Sequence, residues 1–475
     1  MSSEKKSPRQ FDVIVLGAGP GGYPAAIKAA QNGKSVALVE AKDLGGTCLN
    51  RGCIPSKTLI ANAEVLHKIQ AANDFGITVG NVHFDYNQMV DRKDDVVNKI
   101  RKSLEGLILA NKITIIRGFG KFTSPTTIKV TGHDNIEIEA KKIIIATGSE
   151  PRQIPAFPFD YKKIHDSTSL LEMRKLPKKL AIIGGGVIGC EFASLYATLG
   201  VEVTILEMLP RILPMEAESV STALTKAFLN KGIAIHTGVT VEGIDTSGKG
   251  VNVKISGSKG IAADMALVAV GRKLNTANIG LEKAAVHVLD NGMVAVNEKM
   301  ETSVPGIYAI GDIASKWWLA HVATHQGIVA ANNATGHPAA MHYNAVPSVI
   351  FTEPEIATVG LSLEQSIEKG YNAVLGNFPF QALGKSQAAM HTDGFAQVVL
   401  DKATGQILGA QVVGYEAATL IAQMTTAITN ELTVECITET IHAHPTISEA
   451  WMEAAFIGEN APLHWPPKPS KGQKK

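Results

Sequence analysis

The chain has 475 residues, with 45 Lys and Arg against 44 Asp and Glu and a formal net charge of +1. This length exceeds a single ordinary hydrophobic core, so several domains are expected. The balanced charge argues against a surface made for nucleic acid or anionic membranes. Four cysteines are too few for a disulfide-rich secreted scaffold, and the polar start MSSEKKSPRQ has no apolar signal core. These features predict a cytoplasmic protein of mixed α/β structure.

The first recognisable unit is FDVIVLGAGPGGYPAAIKAAQNGKSVALVE, which has the order strand, glycine turn, helix, strand. Its glycines are Gly17, Gly19 and Gly22, and its closing acid is Glu40. In such a unit the first glycine permits a tight turn, the second lets the backbone approach a pyrophosphate, and the third lets helix and strand pack closely. The acid can accept hydrogen bonds from ribose hydroxyls. The segment therefore predicts a dinucleotide site.

The next stretch, GGTCLNRGCIPSK, contains Cys48 and Cys53, half of the cysteines in the chain. A zinc site normally needs four protein ligands, or three and a water, and no paired Cys or His motif follows nearby, so no metal site is predicted. A structural disulfide would be unusual in a reducing cytoplasm. A dithiol that opens and closes during catalysis suits both the compartment and the neighbouring dinucleotide site.

The spacing of the two cysteines supports a redox role. In a regular helix, residues five apart have Cα atoms roughly 8–9 Å apart, whereas a disulfide requires about 4.4–6.8 Å. A disulfide here therefore requires a distorted segment, which Gly52 and Pro55 allow. Strained disulfides tend to be readily reduced, so this pair is predicted to cycle.

A second dinucleotide unit is KLAIIGGGVIGCEFASLYATLGVEVTILE. Its fingerprint residues are Gly184, Gly186, Gly189 and Glu207. The segment is apolar enough to resemble a membrane span, but it contains Glu191 and its glycines directly follow a strand-like run. A carboxylate at Glu207 would repel a 2′-phosphate, so this site is predicted to prefer NAD over NADP.

The remaining segments suggest how the domains are connected. KKIIIATGSEPR predicts a buried strand and an exit from the first domain, and ADMALVAVGRKLNT predicts the return to it. VPGIYAIGDIA ends a further strand on Asp312, whose carboxylate could hold a cofactor hydroxyl. After about residue 345 the pattern changes to antiparallel strands with helices. The predicted fold is therefore α/β, with two Rossmann-like dinucleotide-binding domains, the second inserted in the first, and a closing α+β domain.

The predicted sites form a chain of electron carriers. A dithiol exchanges two electrons, a flavin can pass two on, and NAD accepts a hydride. This predicts the order dithiol substrate, Cys48–Cys53, FAD, NAD. From GAGPGG to HAHPTISE, the chain resembles the dihydrolipoamide dehydrogenases, members of the pyridine nucleotide–disulfide oxidoreductase family. The most specific motifs are GGTCLNRGCIPSK, ATGSEPR, VAVGR, IYAIGD and HAHP.

The resemblance implies an enzyme that oxidises protein-bound dihydrolipoamide to lipoamide and reduces NAD+ to NADH. It implies four domain ranges, which are 1–152 for the first part of the FAD-binding domain, 153–274 for the NAD-binding domain, 275–345 for the second part of the FAD-binding domain, and 346–475 for a dimerisation domain with a flexible basic tail. The partners it implies are a second copy of the chain and either the lipoyl domains and transacylase core of a 2-oxo acid dehydrogenase complex or the lipoyl protein of glycine cleavage. No nucleic acid or membrane partner is expected.

The resemblance also implies roles for individual residues. Cys48 would be the interchange thiol that meets substrate, and Cys53 the thiol against the flavin. His444 would be the general base, oriented by Glu449, and both would reach the partner subunit's disulfide, which implies an obligate homodimer. The FAD positions are Gly17, Gly19, Gly22, Glu40, Lys57, Gly120, Glu191, Asp312 and Ala320. The NAD positions are Gly184, Gly186, Gly189, Glu207, Val239 and Gly271.

Sequence and resemblance differ for two of these residues. From the sequence alone, Lys57 would be a surface residue and Glu191 the polar side of a helix, whereas the resemblance makes them an ion pair beside the flavin. The segment SKWWLAHVATHQG departs from the family wording, and its tryptophan pair either lines the substrate channel or packs in the interior. Cys190 and Cys436 are expected to be small buried apolar residues, and His442 a polar loop residue.

Three alternatives remain. A glutathione-type reductase using NADPH would need basic residues where Glu207 stands. A mercuric reductase would carry a vicinal cysteine pair near its C-terminus, and the sequence has none. A non-catalytic flavoprotein subunit would not need Cys48, Cys53, His444 and Glu449 together.

Overall fold

The computed structural model describes residues 8–257 and 259–467, so the predicted basic tail lies outside the described residues. The chain divides into two compact units. Unit 1 comprises Met1–Ile154, Asp166–Leu176 and Val270–His342, and unit 2 comprises Pro155–His165, Pro177–Ala269 and Tyr343–Lys475.

The strands are β1 Arg9–Gln10, β2 Val13–Leu16, β3 Val36–Glu40, β4 Thr114–Arg117, β5 Phe119–Phe122, β6 Thr127–Thr131, β7 Ile136–Glu139, β8 Lys142–Ile145, β9 Ser149–Pro151, β10 Ile164–His165, β11 Lys179–Ile183, β12 Glu202–Leu206, β13 Ala234–His236, β14 Val241–Asp245, β15 Val251–Ile255, β16 Ile261–Ala263, β17 Met265–Val268, β18 Arg272–Leu274, β19 Ile307–Ala309, β20 Ser348–Ile350, β21 Ile356–Gly360, β22 Ala373–Pro379, β23 Phe395–Asp401 and β24 Ile407–Val413.

The α-helices are α1 Gly22–Gln31, α2 Gly46–Arg51, α3 Cys53–Gln70, α4 Tyr86–Ala110, α5 Ser167–Leu171, α6 Val187–Thr198, α7 Glu218–Asn230, α8 Ala320–Ala334, α9 Leu363–Glu368, α10 Gly384–Ala388, α11 Ala417–Thr429, α12 Val434–Thr438 and α13 Glu449–Gly458.

Unit 1 is organised around a parallel sheet with the strand order β19-β8-β2-β3-β4. The runs VIVL in β2 and III in β8 are buried throughout, which is typical of parallel strands covered on both faces. Within this sheet β2 comes first in the sequence, and it has β3 on one side and β8 on the other. The strand order therefore reverses between β2 and β8. In open α/β sheets, ligands bind beyond the carboxyl ends of the strands at such a point.

Two smaller sheets complete unit 1. The strands β1, β7, β6 and β5 form a four-stranded sheet in that order. The strands β9 and β18 form an antiparallel ribbon, in which Pro151 lies opposite Arg272 and Ser149 opposite Leu274. This ribbon joins two segments that are more than a hundred residues apart in the sequence, and it brings their polar side chains together.

Unit 2 contains a second parallel sheet, with the order β10-β17-β11-β12-β13 and its reversal between β11 and β17. The strands β14, β15 and β16 form a small antiparallel sheet. After residue 346, the antiparallel sheet β20-β21-β24-β23-β22 packs against α11 and α13. Trp451 on α13 is fully buried in this core, and its indole N–H donates to the Leu420 carbonyl at 3.2 Å.

The α/β fold with two dinucleotide-binding sheets and a closing α+β region is confirmed. The predicted ranges 1–152, 153–274, 275–345 and 346–475 stay predictions. Among the helices of the described residues, none is both long and apolar enough to cross a membrane. The segment that resembles a span forms strand β11, a glycine turn and the 12-residue helix α6.

The close packing of α13 on β22 predicts that adding one methyl group at Gly376 lowers the stability of the protein. A Cβ on Gly376 would stand 1.8 Å from the Ala454 carbonyl oxygen, so backbone would have to move. We expect Gly376→Ala to lower stability by about 1–3 kcal/mol, as is usual for overpacking, and thermal unfolding would measure this. Gly384→Ala is the matched control, because a Cβ there meets nothing within 4 Å. Equal melting temperatures for the two variants would contradict this packing.

Candidate active site

The two neighbouring cysteines lie on two helices, the short α2 and the 18-residue α3, that meet at a break. Helix α2 ends at Arg51 and α3 begins at Cys53, and between them Gly52 has φ −146° and ψ −108°, far from helical values. The predicted distortion is therefore confirmed at Gly52, whereas Pro55 lies inside the first turn of α3. Both cysteines are thiols in this structure, and they are close enough to share a hydrogen bond.

The thiol pair holds its proton tightly. The hydrogen bond to Cys53 raises the pKa of Cys48 far above that of an ordinary thiol, and burial raises it further, while the nearby Lys57 ammonium lowers it. Only a thiolate attacks a disulfide or leaves readily from one. A base from outside the pair is therefore needed if Cys48 is to lose its proton.

Two glycines, Gly45 and Gly46, allow the start of α2, the helix that carries Cys48, to lie against the first glycine turn. Gly45 and Gly46 have φ values of +90° and +59°, which glycine adopts without strain. The Gly45 N–H donates to the Ala18 carbonyl at 2.9 Å. A Cβ on Gly46 would stand 2.6 Å from the Gly19 Cα, so these two segments can approach this closely only without side chains. The thiols therefore lie beside the predicted pyrophosphate turn.

The first glycine turn has the geometry that a dinucleotide requires. A Cβ on Gly17 would stand 2.3 Å from the carbonyl oxygen of Ala146, at the end of the neighbouring strand, and one on Gly22 would stand 1.8 Å from the Gly17 oxygen. The Glu40 carboxylate accepts the Ala18 N–H at 2.7 Å and the Lys42 N–H at 2.7 Å. A carboxylate has further lone pairs for ribose hydroxyls. These residues fit FAD.

The second glycine turn repeats this arrangement in unit 2. Gly184 has φ +109°, and a Cβ on Gly189 would stand 1.9 Å from its carbonyl oxygen. The Glu207 carboxylate accepts the Gly185 N–H at 2.6 Å and the Leu209 N–H at 2.8 Å. As at Glu40, one amide comes from the glycine turn and the other lies two residues after the acid. These residues fit NAD.

Asp312 belongs to a polar cluster that the sequence did not reveal. Ser149 donates a short hydrogen bond to the Asp312 carboxylate. The Arg272 guanidinium donates from Nε to Ser149 Oγ at 2.6 Å and from Nη2 to the Ser149 carbonyl at 2.7 Å. Burial lowers the pKa of Arg272, whereas the charges of Asp312 and Cys53 act in the opposite direction. Ser149 and Arg272 belong to the motifs ATGSEPR and VAVGR, but neither is among the predicted site residues.

The remaining predicted cofactor positions lie on several elements. Gly120 lies on β5, where a Cβ would meet the apolar side chains of Leu16 and Val39. Ala320 is the first residue of α8. In unit 2, the Val239 N–H donates to the Glu207 carbonyl at 3.1 Å. Their roles stay predictions.

Three further predicted residues have defined surroundings. Gly186 precedes the first residue of α6 with φ −76° and ψ −173°. Gly271 has φ +112° and directly precedes β18. Glu191 is buried on α6, and its carboxylate accepts the Phe351 N–H at 3.0 Å. The predicted ion pair between Lys57 and Glu191 stays a prediction.

The predicted base and its partner meet in unit 2. His444 Nδ1 lies 2.8 Å from Glu449 Oε1, and Glu449 Oε2 accepts the Thr446 N–H at 2.8 Å. The His444 side chain is 75% exposed and that of Glu449 only 15%, so the carboxylate is fixed while the ring faces outward. Such a ring can exchange a proton at Nε2 with another molecule.

Three residues outside the site can also be compared with their predictions. Cys190 is buried, as predicted, but Cys436 is exposed, so that part of the prediction is wrong. The reason is helical phase, because α12 buries Val434 and Ile437 and turns residue 436 outward. Trp317 is half-buried and has the Lys316 ammonium 5.3 Å from its ring centroid.

Comparisons with known proteins agree with this geometry. Residues 11–327 match the family model of the pyridine nucleotide-disulphide oxidoreductases, and residues 346–455 match the dimerisation domain of that family. The chain belongs to the pyridine nucleotide-disulphide oxidoreductase family. It is accordingly a flavoprotein oxidoreductase with FAD and NAD as its cofactors.

Individual relatives cover nearly the whole chain. Dihydrolipoyl dehydrogenase of Chlamydia pneumoniae is 53% identical over 460 residues, which are 97% of this chain and 99% of the relative. Dihydrolipoyl dehydrogenase of Thermus scotoductus is 43% identical over 462 residues, covering 96% and 99%. Among solved structures, LpdA from Mycobacterium tuberculosis matches with a TM-score of 0.89 at 27% identity, covering 94% of this chain and 99% of that one. The HOCl-induced flavoprotein disulfide reductase RclA from Escherichia coli matches with a TM-score of 0.83 at 28% identity, covering 93% and 98%.

The buried position of Glu207 predicts coenzyme choice. Its carboxylate should accept hydrogen bonds from the ribose hydroxyls and repel a 2′-phosphate. The kcat/KM for NADH should therefore be much higher than that for NADPH. We expect Glu207→Arg to narrow this preference by at least about tenfold, because hydrogen bonds to a charged group contribute about 1.5–3 kcal/mol. Glu202→Arg, at the start of the strand β12 that Glu207 directly follows, is the control, because Glu202 is 63% exposed in a surface pair with Lys179. Equal use of both coenzymes by the unmodified protein would refute this role.

Proposed function

We propose that the protein is a homodimeric dihydrolipoyl dehydrogenase, which oxidises dihydrolipoamide held by a protein partner and reduces NAD+. Curated relatives of that name share between 40% and 53% identity with it over nearly their full length. The observation that carries the residue-level proposal is the thiol pair beside the first glycine turn, in which Cys48 retains its proton and needs an external base.

The proposed reaction begins at the carboxylate-bound imidazole. His444 accepts a proton from one thiol of dihydrolipoamide while Glu449 orients its ring and stabilises its positive charge. The substrate thiolate attacks Cys48 of the oxidised Cys48–Cys53 pair, so the protein's S–S bond breaks and Cys53 leaves as a thiolate. The second substrate thiol gives its proton to the departing Cys48 sulfur and attacks the substrate sulfur of the mixed disulfide, so the bond to Cys48 breaks, Cys48 becomes a thiol and lipoamide forms. Two electrons now reside on the cysteine pair.

The other proposed residues bind and orient. FAD, when bound, supplies the path by which the two electrons reach NAD+. Gly17, Gly19 and Glu40 would hold its adenosine and pyrophosphate, and Asp312, fixed by Ser149, would bind a hydroxyl on its ribityl arm. The NAD positions would be Gly184, Gly186, Gly189, Glu207, Val239 and Gly271. The further FAD positions would be Gly22, Lys57, Gly120, Glu191 and Ala320.

Partners and compartment extend the proposal. The match to a dimerisation domain supports a homodimer. The substrate would be the lipoyl group of a 2-oxo acid dehydrogenase complex or of a glycine-cleavage lipoyl protein, in the cytoplasm. A glutathione-type activity is disfavoured because the Glu207 carboxylate, with both oxygens accepting main-chain N–H groups, is poorly suited to a 2′-phosphate.

The first test removes the two thiols separately. We expect Cys48→Ser and Cys53→Ser to abolish dihydrolipoamide oxidation but to keep FAD bound, because the first glycine turn and Glu40 are unchanged. Only Cys48→Ser should show long-wavelength absorption, since the remaining Cys53 thiolate can donate charge to the flavin. Cys436→Ser, at an exposed thiol, is the control and should keep full activity. Full activity in either single serine variant would exclude the mechanism.

The second test asks whether base and dithiol come from different chains. His444→Gln should slow reduction by dihydrolipoamide by about 10²–10⁴ and leave reduction of the flavin by NADH largely intact, because hydride transfer needs no thiol deprotonation. In mixed dimers of Cys48→Ser and His444→Gln chains, one site would be intact and the other doubly altered. Activity should therefore return from two inactive parents.

The mixing experiment requires a measurement of how many heterodimers have formed. Native mass spectrometry would measure the fraction of heterodimers, and the recovered rate should rise in proportion to it. If heterodimers form and no activity returns, the base and the dithiol do not act across the dimer.

A further inference from the structure

A second histidine–carboxylate pair lies on the helix that carries Glu449. His464 Nδ1 lies 2.7 Å from Glu453 Oε1, and the His464 main-chain N–H donates to Glu453 Oε2 at 3.2 Å. In the first pair, Glu449 binds the His444 ring with one oxygen and the Thr446 amide with the other. The two glutamates therefore use the same arrangement, with an imidazole on Oε1 and a backbone amide on Oε2.

The two pairs are neighbours by helical spacing. Glu449 and Glu453 are four residues apart on α13, so they lie on the same face, with Cβ atoms about 5–6 Å apart. The Glu453 side chain is 3% exposed and that of His464 is 73% exposed. A buried carboxylate is costly unless it is paired, and His464 supplies that pairing from the surface side.

The position of His464 is also fixed by its neighbour in sequence. The Trp465 ring packs edge-on against Phe378 of β22, with 6.5 Å between ring centroids. The segment that carries His464 is thus held both by a hydrogen-bonded ring and by an aromatic contact. A charge on this ring has a defined place in unit 2.

The surroundings of His464 favour its protonated form. The hydrogen bond to Glu453 and the Glu453 charge raise the pKa of His464, burial lowers it, and the Glu449 charge raises it again. A raised pKa means that His464 stays protonated over a wider range below and around neutrality.

The other charged groups around α13 are acidic. Helix α12 carries Glu435 and is followed by Glu439, strand β23 ends on Asp401, and β22 has no titratable residue. The loop before α13 contributes His442, and α13 itself has no Lys or Arg. A protonated His464 therefore offsets the Glu453 carboxylate in surroundings that are otherwise mostly acidic.

We propose that His464 is a positioning residue for the base, because it neutralises the Glu453 carboxylate one helical turn from Glu449 and thereby keeps His444 able to accept a proton near neutral pH. This inference rests on the proposed function. A second carboxylate without a partner near the base would favour a protonated ring, and a ring that is already protonated cannot act as a base. The positive charge of His464 offsets the Glu453 carboxylate without disturbing the geometry of the first pair.

The test measures the pH dependence of kcat/KM for dihydrolipoamide with the purified holoenzyme. The Coulomb effect of a Glu453 charge that is no longer offset, one helical turn away and weakened by solvent, corresponds to a shift of about 0.3–0.7 pH unit. In His464→Gln the acid limb should move upward by that amount, so the rate near pH 6.5 should fall roughly two- to fivefold. At high pH, where His464 is neutral, the variant and the unmodified protein should agree.

Two further variants separate charge from packing. His464→Lys keeps a positive charge, so its acid limb should lie at the same pH as that of the unmodified protein. If His464 had only a structural role, the acid limb would shift equally in the Gln and Lys variants. His133→Gln removes a surface histidine paired with Asp134 in unit 1 and should leave the profile unmoved. An unshifted limb in His464→Gln, or equal shifts in the Gln and Lys variants, would overturn the inference while the proposed function stands. Absence of dihydrolipoamide oxidation by the unmodified protein would overturn both.

Discussion

The chemistry of unit 1 depends on one close backbone approach, that of Gly46 to Gly19. A single Cβ on Gly46 would stand 2.6 Å from the Gly19 Cα, so a side chain there would push α2 away from the glycine turn. Helix α2 carries Cys48 only two residues further on, and the pKa of Tyr23 on α1 is raised by burial and by the charge of Cys48. The thiol pair lies beside the first dinucleotide turn because two glycines make room for it.

The two dinucleotide sites use the acid at the end of each glycine motif in the same way. Glu40 and Glu207 each use both carboxylate oxygens to accept backbone N–H groups, one from the glycine turn and one from two residues further along the chain. The acid therefore fixes the turn and is itself fixed before any ribose arrives. Pre-organised acceptors lose less conformational entropy on binding, so recognition of the ribose and stability of the turn depend on the same side chain.

The parts of the site that sequence could predict are those with local causes. The glycine turns, their acids and the break between Cys48 and Cys53 each follow from residues within one short segment. The Ser149–Arg272 contact does not, because it arises from the pairing of β9 with β18, and no local pattern specifies that register. The error at Cys436 has a similar origin, since the phase of a five-residue helix depends on which neighbours it packs against.

The proton chemistry of the proposed site is divided between the two units in a consistent way. In unit 1 the hydrogen bond from Cys48 to Cys53 retains a proton, so the pair cannot supply its own base. In unit 2 the Glu449 carboxylate is held by Thr446, while the His444 side chain is 75% exposed. An oriented imidazole ring that faces outward can accept a proton from a thiol on another molecule. In the proposed reaction, the base that unit 1 lacks is supplied by unit 2 of the partner chain, and the match to a dimerisation domain supports this proposal.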